Sequence, residues 1–394
     1  MEFKKLGEIF KITSGGTPSK SNNEFYENGT IPWIKTGDLK EKNLLKSSEF
    51  ITELALEKSS AKLFPKNTVL IAMYGATIGA TSILKIEATT NQACCAFLPS
   101  EEIIPDFLYY YFKAHKSEIV SLGVGGAQPN ISATILKNIK IPVLSSIKQQ
   151  KIICTLDKAQ ELIDKRKVQI EALDELVKSQ FIEMFGNPSI NDKGWIINKL
   201  STVVSNIENG KSFVCENFNR SNEYPAILKL SAVTYGIYNA NENKALTHED
   251  LFVSSVEVKS GDLLFTRKNT PELVGMSAFV YDTQPNLMMP DLIFRFNTNE
   301  KINKIYLWKL INHDLFRERI KSLSNGSAKS MSNISKQRLM ELNIPIPPIE
   351  FQNQFADFVK QTDKLKFEMQ NSLKELEDNF NSLMQRAFKG ELFK

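Results

Sequence analysis

Three side chains suited to hydrogen bonding with nucleic-acid bases stand together in the stretch FTRKNTPE, Phe265–Glu272. Arg267 carries a planar fork of donors that matches the two acceptors on the major-groove edge of guanine. Such a pair contributes about 1–3 kcal/mol of discrimination against a wrong base. Lys268 adds a positive charge that suits a phosphate, and Asn269 adds an amide that both donates and accepts. These residue types in this order predict a nucleic-acid contact.

Polar side chains also occupy several other turn-rich stretches. SGGTPSKSNN has two glycines that permit unusual φ values, YGAT joins two apolar stretches, and GGAQPNIS precedes a helical pattern. A solvated loop, a tight turn or a helix cap would explain each of these stretches equally well. The complete set of predicted DNA-contacting residues is Thr17, Ser19, Lys20, Lys35, Tyr74, Thr77, Gln128, Asn130, Lys211, Lys229, Arg267, Lys268, Asn269 and Lys329.

The motifs that catalysis on DNA would need are missing from the sequence. An adenine methyltransferase holds its flipped base with an N/D-P-P-Y/F loop, and the nearest strings are IPPI and NPSI. LGVGGAQPN is rich in glycine but does not have the spacing of a cofactor-binding turn. The two Pro-Asp dipeptides each offer one carboxylate without a partner. We therefore predict no catalytic, cofactor-binding or metal-binding residues in this chain.

Composition limits the remaining classes. The net charge is +4, from 49 Lys and Arg against 45 Asp and Glu, which is too small to indicate a nucleic-acid partner by itself. The four cysteines form no C-x-x-C pair and the three histidines are far apart, so a zinc site or a disulfide framework is not expected. No apolar run reaches the ~18 residues of a membrane span, and the start lacks the apolar segment of a signal peptide. These features predict a cytoplasmic protein with no membrane association.

An internal repeat organises the elements that must position the polar stretches. NIKIPVLSSIKQQ in the first half matches ELNIPIPPIEFQNQ in the second, and Pro142 and Pro345 are 203 residues apart. Asn130 and Asn333 have the same offset of 203 residues. Because a missed repeat leads to a wrong fold assignment, we treat the chain as two copies of one unit.

A long helical pattern follows each copy of this motif. Apolar residues alternate at spacings of three and four over Ile153–Met184 and again over Phe355–Ala387, with Gln160, Lys167 and Thr362 as polar members of the two series. This is the seam pattern of a coiled coil, in which polar members can fix the register. Helices of 35–40 residues would be roughly 50–60 Å long. Each needs a partner for its apolar stripe, so we predict that the two helices pair antiparallel.

The segments before the two helices mix short strands and short helices without a βαβ rhythm. We therefore predict an α+β fold with two globular domains related by a pseudo-two-fold repeat and separated by the antiparallel helices. The predicted segments are a first globular domain at 1–145, a central spacer helix at 146–187, a second globular domain at 188–347 and a C-terminal spacer helix at 348–394.

The sequence resembles the specificity (S) subunits of type I restriction–modification systems. The stretches GEIFKITSGGTPSKSNNEFYENGTIPWIKTGDL, TVLIAMYGATIGATSIL, TTNQACCAFLP, GVGGAQPNISATILKNIKIPVLSSIKQQKII and LVKSQFIEMFGNP carry the resemblance. It covers essentially the whole chain, and the first half is the more typical. In the second half NGKSF replaces SGGTPS, and the counterpart of AMYGATIGATSIL is looser.

The resemblance implies a non-catalytic subunit with two target-recognition domains, each recognising one part of a split, asymmetric site in double-stranded DNA. The helices would set the spacing and dock two adenine-N6 methyltransferase subunits. Those partners would bind S-adenosylmethionine, and whether restriction/translocase subunits using ATP and Mg²⁺ join them stays open. A self-contained DNA-modifying enzyme and a protein-binding scaffold are the alternatives. Methyl transfer by the purified chain alone would favour the enzyme. The lack of any DNA preference in its complex would favour the scaffold.

Overall fold

A computed structural model describes residues 2–123, 130–325 and 331–393 of the chain, with the side chain of Asn325 excluded. The chain divides into two compact units. Unit 1 comprises residues 1–168 and 370–394, and unit 2 comprises residues 169–369. Among the described residues, no helix combines the length and the apolar character that a bilayer-spanning segment requires.

Unit 1 is built from short strands and mostly short helices. Its strands are β1 (Glu2–Lys5), β2 (Ile12–Ser14), β3 (Ile31–Ile34), β4 (Asn43–Leu44), β5 (Glu49–Ile51), β6 (Leu63–Phe64), β7 (Val69–Ala72), β8 (Thr81–Leu84), β9 (Ala88–Thr90), β10 (Cys94–Phe97) and β11 (Lys140–Val143). Its helices are α1 (Leu6–Ile9), α2 (Glu53–Lys58), α3 (Pro105–Ala114), α4 (Lys116–Ser121), α5 (Ala133–Asn138) and the first part of α6 (Ser146–Phe185).

Three sheets carry the strands of unit 1. The largest has the order β2-β10-β7-β8-β4, the second has the order β5-β3-β9-β6, and β1 pairs with β11. Every residue of β7 and β10 is buried, which explains their continuous apolar sequences VLIA and CCAF. The aromatic helix α3 packs beside this sheet and buries Phe107, Tyr110 and Phe112. One core of unit 1 therefore lies between the five-stranded sheet and α3, and two further buried clusters include Leu70 and Trp33.

Unit 2 repeats this mixture of elements. Its strands are β12 (Ile196–Lys199), β13 (Val204–Asn209), β14 (Ala226–Leu228), β15 (Asn243–Ala245), β16 (Leu263–Thr266), β17 (Lys268–Asn269), β18 (Ser277–Phe279), β19 (Leu287–Met288), β20 (Ile293–Thr298), β21 (Ser324–Asn325), β22 (Ser332–Ile334) and β23 (Asn343–Ile346). Its helices are α7 (Ser231–Thr234), α8 (Lys304–Asn312), α9 (Asp314–Lys321), α10 (Lys336–Met340) and α11 (Ile349–Phe388), whose last part belongs to unit 1.

The sheet topologies confirm the internal repeat and the α+β fold class. The order β13-β20-β16-β18 in unit 2 corresponds to β2-β10-β7-β8 in unit 1, and the pair β12-β23 corresponds to β1-β11. The parallel pairing of β14 with β19 and the antiparallel pairing of β14 with β15 match those of β3 with β9 and β5. The strands β17, β21 and β22 form a small sheet of their own in unit 2.

The two long helices run antiparallel within unit 2. The Nζ of Lys366 lies 2.6 Å from a carboxylate oxygen of Asp174, and the ring of Phe181 lies 5.5 Å from that of Phe355. As the residue number rises along α6 it therefore falls along α11. The α6 helix ends at Phe185, where Gly186 takes φ +73° and ends the hydrogen-bonding pattern.

The same antiparallel order holds within unit 1. Lys167 pairs with Glu377 at 3.0 Å. Farther towards the start of α6, Lys113 donates to Gln160 at 2.8 Å and lies 4.9 Å from the centre of the Phe380 ring. The predicted segments 146–187 and 348–394 correspond to helices at Ser146–Phe185 and Ile349–Phe388.

The proline of the repeated motif lies inside a short strand in each unit. Pro142 is the third residue of β11 and pairs with Phe3, and Pro345 is the third residue of β23 and pairs with Ile197. Proline has no N–H to donate, and it is tolerated here because each strand belongs to a two-stranded sheet with a free edge.

Candidate nucleic-acid interface

Polar stretches of unit 1 meet at one edge of its sheets. We call residues 15–20, 73–77, 90–93 and 130–131, together with Lys35, the first polar edge. The Met73 N–H donates to the Ala93 carbonyl at 2.9 Å, and the Ile131 N–H donates to the Met73 carbonyl at 2.8 Å. These two bonds hold the ends of β7 and β10 against the segment before α5.

The glycine-rich stretch of the first polar edge is fixed by close backbone approach. A Cβ on Gly15 would lie 2.1 Å from the Thr90 carbonyl oxygen, and one on Gly16 would lie 2.3 Å from backbone atoms of Ser60. The Trp33 indole N–H donates to the Gly16 carbonyl at 3.1 Å. Only glycine fits these positions, so the loop that carries Thr17, Ser19 and Lys20 leaves the sheet at a defined point.

The predicted contact residues of this loop differ in accessibility. The Thr17 hydroxyl is hydrogen-bonded to the Gln92 side chain, and the Ser19 and Ser21 hydroxyls are 2.8 Å apart. Lys20 is exposed. Lys35 follows β3, forms an ion pair with Glu49 and is therefore partly neutralised.

Tyr74 and Asn130, two predicted contact residues of the first polar edge, are neighbours in the structure. They form an antiparallel bridge although they are far apart in sequence. Burial raises the pKa of Tyr74 above its ordinary value, so its hydroxyl stays neutral and can both donate and accept. Asn130 is exposed, and the cap of α5 is Ser132, whose hydroxyl accepts from the Ile135 N–H at 3.2 Å. Asn130 therefore does not cap the helix, which was the alternative explanation for this residue.

Unit 2 builds an equivalent edge with the same backbone bonds. We call residues 210–211, 267–269, 289–292 and 332–336 the second polar edge. The Arg267 N–H donates to the Leu292 carbonyl at 2.9 Å, and the Ile334 N–H donates to the Arg267 carbonyl at 2.8 Å. Arg267 therefore takes the place of Met73 in the repeat.

The Arg267 side chain is held in position by two neighbours. Its Nε donates to the Asn333 side-chain oxygen at 3.4 Å, and its guanidinium carbon lies 5.2 Å from the centre of the Phe294 ring. Within residues 2–123, 130–325 and 331–393, Nη1 and Nη2 have no hydrogen-bond partner. A guanidinium fixed by its Nε and one face can offer its two terminal nitrogens to a planar acceptor pair.

The other candidates of unit 2 fall into two groups. Lys211 is exposed, and its N–H donates to the Met289 carbonyl at 3.1 Å. Lys268 is half-buried and pairs with Asn333 in the β17–β22 ladder. Asn269, however, is only 7% exposed and donates to the Thr234 hydroxyl at 3.1 Å, which suits a structural role better than base contact.

Of the remaining predicted residues, only Thr77 belongs to one of the two polar edges. Lys229 follows β14, and its Nζ donates to the Asn219 side chain at 2.8 Å. Thr77 is half-buried in the turn between β7 and β8. Gln128 and Lys329 lie outside the described residues.

Sequence reasoning missed Gln92 and Lys336. Gln92 follows β9 and bonds to Thr17, and Lys336 opens α10 with its Nζ 5.8 Å from the centre of the Phe294 ring. Lys336 shares that ring with Arg267, so the two cations are neighbours. Only the three-dimensional pairing reveals this, because the two residues are far apart in the sequence.

Metal binding and nucleophilic thiol chemistry depend on how the His, Cys, Asp and Glu side chains of the described residues are arranged. Over the described stretches of the chain, no group of three or more His, Cys, Asp or Glu side chains is arranged to hold a metal ion. The thiols of Cys94 and Cys95 are buried, which raises the pKa of each to about 12. Neither is poised to act as a nucleophile.

Comparison with known proteins gives a consistent picture. The model of the type I restriction modification DNA specificity domain matches residues 1–172 and again residues 192–378. The type I restriction enzyme EcoR124I/EcoR124II specificity subunit of Escherichia coli is 37% identical over 163 residues, which cover 40% of each chain. The MjaIX specificity subunit of Methanocaldococcus jannaschii is 32% identical over 231 residues, 54% of this chain and 53% of the relative. These alignments span about half the length of the curated relatives.

A solved structure extends the similarity of fold to nearly the full length. The crystal structure of the type I restriction–modification system S subunit from M. genitalium superposes with a TM-score of 0.55. The superposition covers 98% of this chain and 96% of the other, at 16% sequence identity.

Proposed function

We propose a function from the premise that the chain belongs to the family of type I restriction modification DNA specificity domains. The protein is a sequence-specific DNA-recognition subunit of a type I restriction–modification complex and carries out no catalysis itself. Each unit recognises one part of a bipartite, asymmetric site in double-stranded DNA. The two long helices set the spacing between the parts and dock the partner subunits.

The observation that carries this proposal is the repeated polar edge. Met73 and Arg267 hold the same pair of backbone hydrogen bonds, yet Met73 is only 7% exposed and packs in the core of unit 1, whereas Arg267 is half-buried and carries a guanidinium to its edge. Contacts to base edges require side chains held at fixed points, and different side chains at equivalent points recognise different bases. Because one chain carries two such edges with different side chains, we expect its DNA site to have two different parts.

Partner subunits supply the chemistry in this proposal. Two adenine-N6 methyltransferase subunits bind S-adenosylmethionine and transfer the methyl group. Any restriction or translocase subunits in the complex bind ATP and Mg²⁺. This chain contributes the choice of sequence and the distance between the two recognised parts.

Co-expression with a methyltransferase subunit of the same restriction–modification system, followed by mapping of N6-methyladenine in the host genome, tests the proposal. We expect one split motif with two different parts and a constant gap. A continuous motif, or methylation without any motif, would refute the assignment. As a control, the purified chain alone is incubated with DNA and labelled S-adenosylmethionine, and methyl transfer there would identify an enzyme instead.

A further inference from the structure

We propose that the two units hold DNA by different means, an inference that rests on the proposed function. Unit 2 supplies most of the electrostatic attachment to backbone phosphates through Lys211, Lys268 and Lys336, beside Arg267. Unit 1 contacts its part of the site mainly through uncharged groups. The salt dependence of DNA binding therefore comes mostly from unit 2.

The cations of the second polar edge surround the start of β20. The N–H of Lys211 bonds to the carbonyl of Met289, just before that strand, and the N–H of Arg267 bonds to the carbonyl of Leu292. Lys336 and Arg267 lie over the same ring, that of Phe294. The backbone bonds and the shared ring place all three cations at one end of the sheet.

These cations are available for an external anion. In the part of the chain that the structure describes, Lys211, Arg267, Lys268 and Lys336 form no ion pair. Asp291 is an acidic residue within this edge, and it forms no ion pair with them in that part of the chain either. The residues that define the second polar edge carry four positive charges and one negative charge, a formal net charge of +3. Glu208 lies close enough to interact electrostatically with Lys336, but Glu208 is itself paired with Arg295.

The first polar edge has no such set of charges at the matching places. Residues of the two repeats that hold the same backbone hydrogen bonds, and their neighbours in sequence, are equivalent. The equivalent residues are Gly16 for Lys211, Met73 for Arg267, Tyr74 for Lys268, Ala133 for Lys336 and Gln92 for Asp291. All five are uncharged. The first polar edge does carry Lys20, which is exposed, and Lys35, which is paired with Glu49.

This difference has a measurable consequence. Each phosphate that a protein cation neutralises releases counterions, which adds about 0.9 to the negative slope of log K against log salt concentration. Three lysines in contact with phosphates would contribute about 2.7 to that slope, whereas Lys20 would contribute at most about 0.9. A hydrogen bond from Tyr74 or Gln92 would contribute almost nothing to it.

The test uses the complex of the chain with its methyltransferase partner, bound to a fluorescent duplex that contains the mapped methylation site. Fluorescence anisotropy gives binding constants between about 50 and 200 mM salt, the range over which such slopes are large. The test variant is K211Q/K268Q/K336Q, which leaves Arg267 in place. The variant K20Q tests the exposed cation of unit 1.

A matched control removes three other exposed lysines of unit 2, in the variant K193Q/K259Q/K301Q. Lys259 precedes β16 and Lys301 follows β20, so both lie at the strand ends opposite to the second polar edge. This control changes the net charge of unit 2 by the same amount as the test variant does. It therefore separates local phosphate contact from the effect of overall charge.

We expect the slope to fall by about 2–3 for K211Q/K268Q/K336Q, by less than about 1 for K20Q, and by little for the control. The methylation motif should stay unchanged in all three variants, which also shows that they fold and assemble. An unchanged slope for the test variant, an equal fall for the control, or a larger fall for K20Q would overturn the inference. A wild-type complex that binds its methylated site no better than other DNA would instead overturn the proposed function.

Discussion

Replacing Gln149 by methionine should loosen the attachment of the α6 helix to unit 1. Gln149 is 1% exposed and lies in the first turn of α6. Its side-chain oxygen accepts from the Ile104 N–H at 2.8 Å, and its amide donates to the carbonyls of Glu102 at 2.7 Å and Leu144 at 2.8 Å. One side chain thus ties the long helix to the start of α3 and to the end of β11.

The cost follows from the groups that methionine would leave behind. Methionine keeps nearly the same length and fills the space, but it cannot bond to any of the three backbone groups. A buried donor or acceptor left without a partner costs about 1–3 kcal/mol, and a carbonyl can recruit water more easily than a buried N–H can. We therefore expect Q149M to lower the free energy of unfolding of unit 1 by about 2–4 kcal/mol.

The neighbouring residue gives a matched control. Gln150 is exposed and belongs to the same helical turn, so Q150M makes the same chemical change without leaving a buried group unpaired. Urea unfolding followed by circular dichroism compares the two variants. Hydrogen exchange measured by mass spectrometry on a peptide that contains Ile104 reports directly on the amide that loses its acceptor.

We expect faster exchange at Ile104 and a lower urea midpoint for Q149M only. A Q149M protein with the urea midpoint and the Ile104 exchange rate of wild type would refute this prediction. So would equal losses in Q149M and Q150M, because the effect would then belong to the chemical change and not to burial.

Three further predictions concern unit 2. R267A should reduce base discrimination by about 1–3 kcal/mol in one part of the methylation motif only, whereas a loss that is uniform across sequences and varies only with salt would make Arg267 a phosphate contact. R295M should lower the free energy of unfolding by about 3 kcal/mol, because Arg295 forms ion pairs with Glu208 and Asp262. Burial would raise the pKa of Glu208, but hydrogen bonds from Arg295 and Asn297 hold it below the ordinary value of a glutamate. The stabilisation is therefore fully present above that ordinary pKa and is lost as the pH falls through the lowered pKa, so urea midpoints of R295M and wild type should converge in acid. F181A should cost about 3–5 kcal/mol in urea unfolding, because Phe181 is buried against several rings, while L176A on the same helix, 46% exposed, should change the midpoint little.

The two long helices and the motif that precedes each of them, which we call the frame, could be predicted from the sequence because they occur twice. Gln149 and Gln352 are 203 residues apart, and each forms three hydrogen bonds that link the start of a long helix to an aromatic helix and to the proline-containing strand. Such buried amides accept no substitute that lacks both donor and acceptor. The two glutamines stand in the repeated motif with the same offset of 203 residues, and a long helix follows each copy, at Ser146–Phe185 and Ile349–Phe388.

The polar edges could be predicted only in part, because their side chains are not constrained by the frame. The three adjacent candidates Arg267, Lys268 and Asn269 come from one stretch, yet Asn269 is buried against Thr234 while Arg267 stands over Phe294. Arg267 lies between β16 and β17, and side chains two residues apart along an extended chain point the same way, so alternation does not separate it from Asn269. The difference comes from what packs against each side chain, Thr234 against Asn269 and Phe294 against Arg267, and the sequence does not reveal these partners. Lys336 was missed because the sequence does not show that it lies over the ring of Phe294, which is far away in the chain.

The constancy of the frame and the variability of the edges have one physical origin. Met73 and Arg267 are held by main-chain bonds, to Ala93 and Ile131 in one unit and to Leu292 and Ile334 in the other, and these bonds do not depend on the side chain. A substitution at such a position leaves the main-chain bonds in place, although at Arg267 it would remove the bond to Asn333 and at Met73 it would disturb the core of unit 1. Exposed members of the edges such as Lys20 and Lys211 can therefore change at little cost in stability, whereas the buried glutamines and the helix seam cannot change alone.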